Sequence, residues 1–436
     1  MTLAAARIDT GDTAWLLAAT ALVLLMTPGL ALFYGGMVRT KSVLNMLMMS
    51  FVSIALVTVV WLAAGYSLAF GPDAGGGLIG TLEHAGMAGL GPDSVRGTVP
   101  TLLFATFQLT FAVITAALIS GAIADRAKFG AWLVFVPVWA LLVYVPVAHW
   151  VWGPDGWILS DLGALDFAGG LPVEITSGAS GLALCLVLGP RLGFRKDAMR
   201  PHNLPMVVLG AGLLWFGWFG FNAGSALGAN GLAAAAFLNT LAAGCTGLLG
   251  WLFVEQKRDG HPTTLGAASG AVAGLVAITP ACGAVSLLGA LAVGLAAGVV
   301  CSYAVSWKFR FGYDDSLDVV GVHLVGGVTG TLLIGVFAVE SMTGGARGLL
   351  HGGGLAQLGK QSVAVLAVGG YAFLMTYGIA RLLHRTLGLR ADEEHEHTGL
   401  DLTVHAETAY DHGVLGHGAP VGASPVPSAQ KVKPQA

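Results

Sequence analysis

TVPTLLFATFQLTFAVITAALISGAI, residues 98–123, carries no ionisable side chain and is bracketed by Arg96 and by the pair Asp125 and Arg126. A helix needs about 20 apolar residues to cross about 30 Å of hydrocarbon, so this stretch is long enough to span a bilayer. Blocks of the same kind recur along the chain near 13–36, 43–70, 130–152, 167–189, 204–224, 230–254, 263–279, 285–307, 319–339 and 361–383. The block at 263–279 is the shortest and is rich in Gly and Ala. Composition agrees: 55% of the 436 residues are hydrophobic and 10% are charged, against about 25% charged in an ordinary soluble domain. A soluble chain of this length would need far more polar surface to cover its cores. The expected fold is an all-α polytopic membrane protein with eleven transmembrane helices.

The loop charges orient it. With the N-terminus outside, 17 of the 21 Lys and Arg residues fall on the inside. These include Arg39, Lys41, Arg126, Lys128, Arg191, Arg195, Lys196 and Arg200, and only Arg7, Arg96, Arg347 and Lys360 stay outside. That bias is the positive-inside pattern of a membrane protein with a cytoplasmic C-terminus. The first block is too long for the apolar region of a cleavable signal, so none is expected. The four cysteines lie in apolar stretches and read as small packing residues. The net charge of −3 points to no partner.

Two segments align without gaps 149 residues apart: DFAGGLPVEITSGASG (166–181) and DSLDVVGVHLVGGVTG (315–330). Asp166 matches Asp315, Glu174 matches His323, and Gly178 and Gly181 match Gly327 and Gly330. One copy starts outside and the other inside, which makes the repeat inverted. It reads as five helices plus five, with one extra helix. Inverted repeats place their functional site near the bilayer midplane, at the repeat interface. A charge at the bilayer centre costs about 2.5–3.5 kcal/mol even on lenient scales. Glu174 and His323 escape part of that cost by facing one another or a water-filled lumen. The pair reads either as a proton or ion relay or as a structural hydrogen bond between helices. Asp166 and Asp315 fall at helix starts, where a carboxylate caps free N–H groups.

FYGGMVRTK (33–41), FQLTFAVITAALISGAIADR (107–126), AHWVWGPDGW (148–157), GALDFAGG (163–170), WFGWFGFNAGS (215–225), GAASGAVAGLVAITPACG (266–283) and DDSLDVVGVH (314–323) together resemble the ammonium transporter (Amt/Mep/Rh) family. The resemblance covers residues 12–410. It implies a homotrimer with one narrow hydrophobic pore per subunit, no cofactor, and transport of ammonium across the cytoplasmic membrane; it implies no enzyme. Carried over by position, Phe107, Trp152 and Ser225 form the outer substrate site, where aromatic faces attract a small cation. Phe111 and Phe221 match the stacked pair that gates the pore. Trp218 and Thr279 lie among the family strings and are expected to support the site structurally. His323 matches the second of the family's two pore histidines. Glu174 replaces the first, as an acid does in some fungal members, and this puts the inherited proton relay in question.

Residues 1–386 read as the transmembrane domain, 387–410 as an ordered cytoplasmic segment, and 411–436, rich in Gly, Pro, Ser and His, as a disordered tail. The 387–410 segment resembles the family's C-terminal region, a docking face for PII-type signal proteins. His395, His397, His405, His412 and His417 read as solvated tail residues rather than metal ligands. Competing functions are an ammonium sensor with little flux, a neutral gas channel of the Rh type, and a membrane enzyme. The last lacks a nucleophile or metal constellation in the spans.

Overall fold

In the computed structural model of the chain the described residues are 7–410. The tail 411–436, with His412 and His417, lies outside them. Among the described residues, ten helices are long and apolar enough to cross a membrane. They are α1 (Thr10–Met37), α2 (Thr40–Phe70), α3 (Thr101–Ile123), α4 (Phe129–Trp152), α5 (Gly170–Leu188), α6 (Leu204–Gly224), α7 (Gly231–Arg258), α9 (Leu287–Phe311), α10 (Val320–Phe337) and α11 (Ala356–Thr386). Between α7 and α9 lies α8 (Thr264–Ile278), a shorter apolar helix of 15 residues. At 1.5 Å per residue it is about 22 Å long, short of the hydrocarbon thickness. Its residues from Ala268 to Ile278 are all buried, as is the turn Thr279–Val285 that follows. Irregular backbone at membrane depth is tolerated when protein covers it.

The helix starts follow local chemistry. Asn203, Asn230 and Thr263 each accept a hydrogen bond from the backbone N–H three residues on, at 2.9, 3.0 and 2.8 Å. Each such cap is worth about 1 kcal/mol. The α7 carboxylate Glu255 accepts from Trp251 Nε1 and from the Thr263 N–H, tying the end of α7 to the start of α8. Outside the helices, a two-residue hairpin pairs β1 (Val95–Arg96) with β2 (Val99–Pro100) just before α3.

Helices α5 and α10 do not start as regular α-helix. Gly170–Ile175 and Val320–Leu324 are π-helical turns, and they carry Glu174 and His323. Such widened turns recur at functional positions. The two helices cross where glycine replaces a side chain on each. A Cβ added at Gly178 would lie 2.6 Å from Cβ of Leu324, and one at Gly327 would lie 2.8 Å from Cβ of Glu174.

After α11 the chain turns back across one face of the bundle, through α12 (Glu393–Thr398) and α13 (Leu400–His405). Lys128 N donates to Leu389 O and Ala391 N to Arg126 O, each at 2.8 Å, which closes a short antiparallel bridge. Glu396 Oε1 accepts from Leu192 N at 2.6 Å, and Lys41 Nζ donates to the Glu396 and His397 carbonyls. Asp401 accepts from Leu44 N and Asn45 N, so the tail supplies the N-terminal cap of α2.

Candidate functional site

The π-turns at the starts of α5 and α10 bring two intramembrane side chains together. Glu174 Oε2 lies 2.7 Å from His323 Nδ1, and the two residues are 1% and 4% exposed. His323 Nε2 makes no hydrogen bond to protein among the described residues. Each turn is held by an acid. Asp166 accepts from the N–H groups of Gly169, Gly170 and Leu171 at 2.7, 2.9 and 2.6 Å. Asp315 accepts from Val319 and Val320 at 3.0 and 2.7 Å. Both acids therefore satisfy orphan helix donors and fix the turn whose next residues carry the buried pair.

The pair borders a narrow space between α1, α3, α5, α6, α8 and α10. Trp218, Phe221, Phe33, Leu30 and Val272 are among its walls, and its free volume is about 10 Å³. That is the lower limit for a single water. Trp218 is held by a 2.8 Å bond from Nε1 to Thr279 Oγ1. Phe221, on the wall of this space, stacks on Phe111 with ring centroids 4.1 Å apart at 26°. Such a stack contributes about 0.5–1.5 kcal/mol beyond the area buried.

Beyond the stack the aromatic residues continue toward the face opposite the tail. Phe107 packs edge-on to Phe111 at 4.8 Å, and Trp152 does so at 5.8 Å. Trp152 Nε1 donates to the Asp166 carbonyl at 3.1 Å, which links its ring to the segment that caps α5. A Cβ on Gly224 would lie 3.0 Å from the Phe107 ring, so Ser225 follows directly on that contact. The Ser225 hydroxyl donates to Phe221 O at 2.8 Å and keeps acceptor capacity. Of the seven expected site residues, Phe107, Trp152 and Ser225 contact Phe111 or Phe221, and Phe221 lines the space that Glu174 and His323 border. The α1 wall, with Leu30 and Phe33, was not among them. It carries no charged residue between Asp12 and Arg39, so no charge marked it.

At the tail-side end lies a buried ionic network. Arg191 donates to Asp314 through Nε at 2.9 Å and Nη2 at 2.8 Å, and Asp125 pairs with Arg39 at 3.0 Å and Arg191 at 3.4 Å. Burial alone would raise the Asp314 carboxyl, but the hydrogen bonds from Arg191 and the charges of Arg126 and Arg191 hold it below the usual carboxylate range. Asp314 adjoins Asp315, so this network anchors the α10 turn from below. Among the described residues, His, Cys, Asp and Glu form no cluster of three or more suited to a metal ion.

Comparison with known proteins gives consistent matches over nearly the whole chain. The model of the Ammonium Transporter Family matches residues 14–410. An ammonium transporter of Mycobacterium tuberculosis (strain ATCC 25618 / H37Rv) is 54% identical over 435 residues, covering 93% of this chain and 91% of that protein. One from Bacillus subtilis (strain 168) is 52% identical over 406 residues, covering 92% and 98%. The crystal structure of Candida albicans Mep2 superposes with a TM-score of 0.83 at 36% identity, covering 89% of this chain and 87% of that one. A structure described as a sensor Amt protein also gives 0.83, at 28% identity, covering 90% and 98%.

Proposed function

The chain belongs to the Ammonium Transporter Family, a family of multi-pass membrane transporters and not enzymes, and from that premise we propose that it takes up ammonium through a Phe-gated pore with Glu174 and His323 as the proton relay. The observation that carries this reading is the buried 2.7 Å contact between Glu174 and His323, beside a space walled in part by Phe221, which stacks on Phe111. Phe107, Trp152 and Ser225 recruit the cation outside, through aromatic faces and a hydroxyl acceptor. The dry stack makes an intact cation lose its hydration at high cost, whereas neutral ammonia passes easily. The proton left behind moves through Glu174 and His323, which share a buried contact of 2.7 Å.

In this reading all eleven helices cross the membrane, ten of them as a five-plus-five inverted repeat with one extra helix, with the N-terminus outside and the tail face cytoplasmic. The equivalent capping by Asp166 and Asp315 supports the repeat. The lysines and arginines clustered at the tail face support the orientation. The assembly is a homotrimer, and the docked 387–410 segment offers a face to a PII-type signal protein.

A second reading, an ammonium sensor with little flux, draws on the similarity to a sensor Amt protein and on the acid at position 174. Complementation of an uptake-deficient strain at low ammonium, followed by current recording in proteoliposomes, separates the two. Transport predicts growth and ammonium-dependent current. Binding without current favours the sensor.

A further inference from the structure

His149 lies one turn before Trp152 on α4 and is fully buried. Its Nδ1 is 3.0 Å from the carbonyl oxygen of Ala69, and its Nε2 is 3.2 Å from Oδ1 of Asp73. A carbonyl accepts only, and so does an ionised carboxylate. A neutral imidazole has one N–H and one lone pair, so either tautomer would set a lone pair against an acceptor. Both contacts are satisfied together when both ring nitrogens carry hydrogen. Asp73 supplies the matching charge. Its side chain is 17% exposed, and hydrogen bonds from the Gly77 and Gly75 N–H groups and from His149 outweigh desolvation and hold its carboxyl below the usual range. The other ionisable side chains on neighbouring elements, Tyr66, Arg96, Asp155 and Asp161, make no hydrogen bond to the ring.

This ring joins several segments at the outer end of the bundle. Ala69 lies in the last turn of α2 and Asp73 in the loop after it, so the two contacts pin that loop to α4. Trp150 Nε1 adds a 2.8 Å bond to Leu78 O, and Trp157 N donates to Gly77 O at 3.3 Å. The turn that ends α4 folds over the same ring: Gly153 N donates to His149 O at 2.9 Å, and a Cβ on Gly153 would lie 2.6 Å from His149 Nδ1. Trp152 is the residue between this anchored turn and the Asp166 carbonyl that holds its indole.

We propose that His149 is held as an imidazolium by Asp73, and that this buried charge pair is the positioning group that fixes Trp152 for the entering cation. The role of Trp152 rests on the transport reading above, whereas the charge state of His149 does not. The test uses the full-length protein in lipid bilayers. Solid-state NMR of protein carrying 15N-histidine reads both ring nitrogens directly, with His149→Gln identifying the signal by its loss. The expected result at neutral pH is two protonated ring nitrogens in the wild type and one in Asp73→Asn. An unprotonated nitrogen at His149 in the wild type overturns the proposal. In proteoliposomes, His149→Gln and Asp73→Asn are expected to raise KM for ammonium about three- to tenfold, the range of a weakened cation–π contact, with kcat nearly unchanged. Trp150→Phe, which removes a strap on the same loop but leaves the charge pair, should keep the wild-type KM. Lower kcat at unchanged KM in the two charge-pair variants would mean a merely structural role and overturn the positioning claim. A wild type with two protonated nitrogens and no ammonium flux would overturn the transport reading, and with it the role given to Trp152, while upholding the imidazolium.

Discussion

Glu174 Oε2 and His323 Nδ1 meet at 2.7 Å although the residues are 149 positions apart and lie on different helices. The contact couples a carboxyl to an imidazole where a single proton can sit on either group. Glu174→Gln keeps the shape and a polar partner but removes the titratable group, and Glu174→His restores two imidazoles. Ammonium-driven currents recorded across pH are expected to give three distinct profiles. Coincident profiles would remove Glu174 from the relay. Glu174→Ala leaves His323 buried without its partner and should cost about 3–5 kcal/mol of stability, more than Glu174→Gln, as thermal unfolding in detergent would read.

The α5–α10 crossing gives a second prediction. Gly327→Ala places a methyl 2.8 Å from Cβ of Glu174, so the helices must separate. The expected cost is about 1–3 kcal/mol, with reduced ammonium flux. Gly212→Ala is the control, because a Cβ there meets nothing within 4 Å. Equal flux and melting temperature in the two variants would contradict the tight crossing.

The tail-side network has a pH signature. Arg191 and its charge hold the Asp314 carboxyl below its ordinary value of 3.8 in the folded protein. A group lowered on folding adds stability above its unfolded value and loses it as pH falls through the folded one. Wild type should therefore lose melting temperature below about pH 4, beyond the loss in Asp314→Asn. At neutral pH the variant should already be less stable. Parallel pH curves for the two proteins would show that Asp314 is not the group responsible.

Glu396 is the fourth test. It receives the Leu192 N–H and pairs with Arg390 at 2.8 Å. Glu396→Ala leaves that amide without its partner, at about 1–3 kcal/mol. Hydrogen exchange across 389–405 should speed up while α3 and α6 keep their protection. Unchanged exchange in the tail would show that other contacts suffice to dock it.

Much of this was legible in the chain. Long uncharged blocks such as 98–123 marked the helices, whereas the caps Asn203, Asn230 and Thr263 at the start of three of them became visible only in the structure. The repeat offset paired Glu174 with His323 because an ionisable residue in an apolar block is rare enough to register. The π-turns were not legible, since they depend on the Asp166 and Asp315 carboxylates reaching several N–H groups at once. Nor was the cap on α2, whose Asp401 lies 357 residues from Leu44. The α1 side of the space beside the buried pair was silent because packing alone, without charge, puts Leu30 and Phe33 there.

Gly327 faces the first carbon of the Glu174 side chain, and Gly178 faces Leu324 beside His323. The separation of the two helices is thus set by hydrogen atoms where side chains would otherwise stand, not by the Glu174 carboxyl and the His323 ring. A substitution at position 174 beyond its Cβ is therefore expected to change the buried pair while leaving the glycine contacts of the crossing in place.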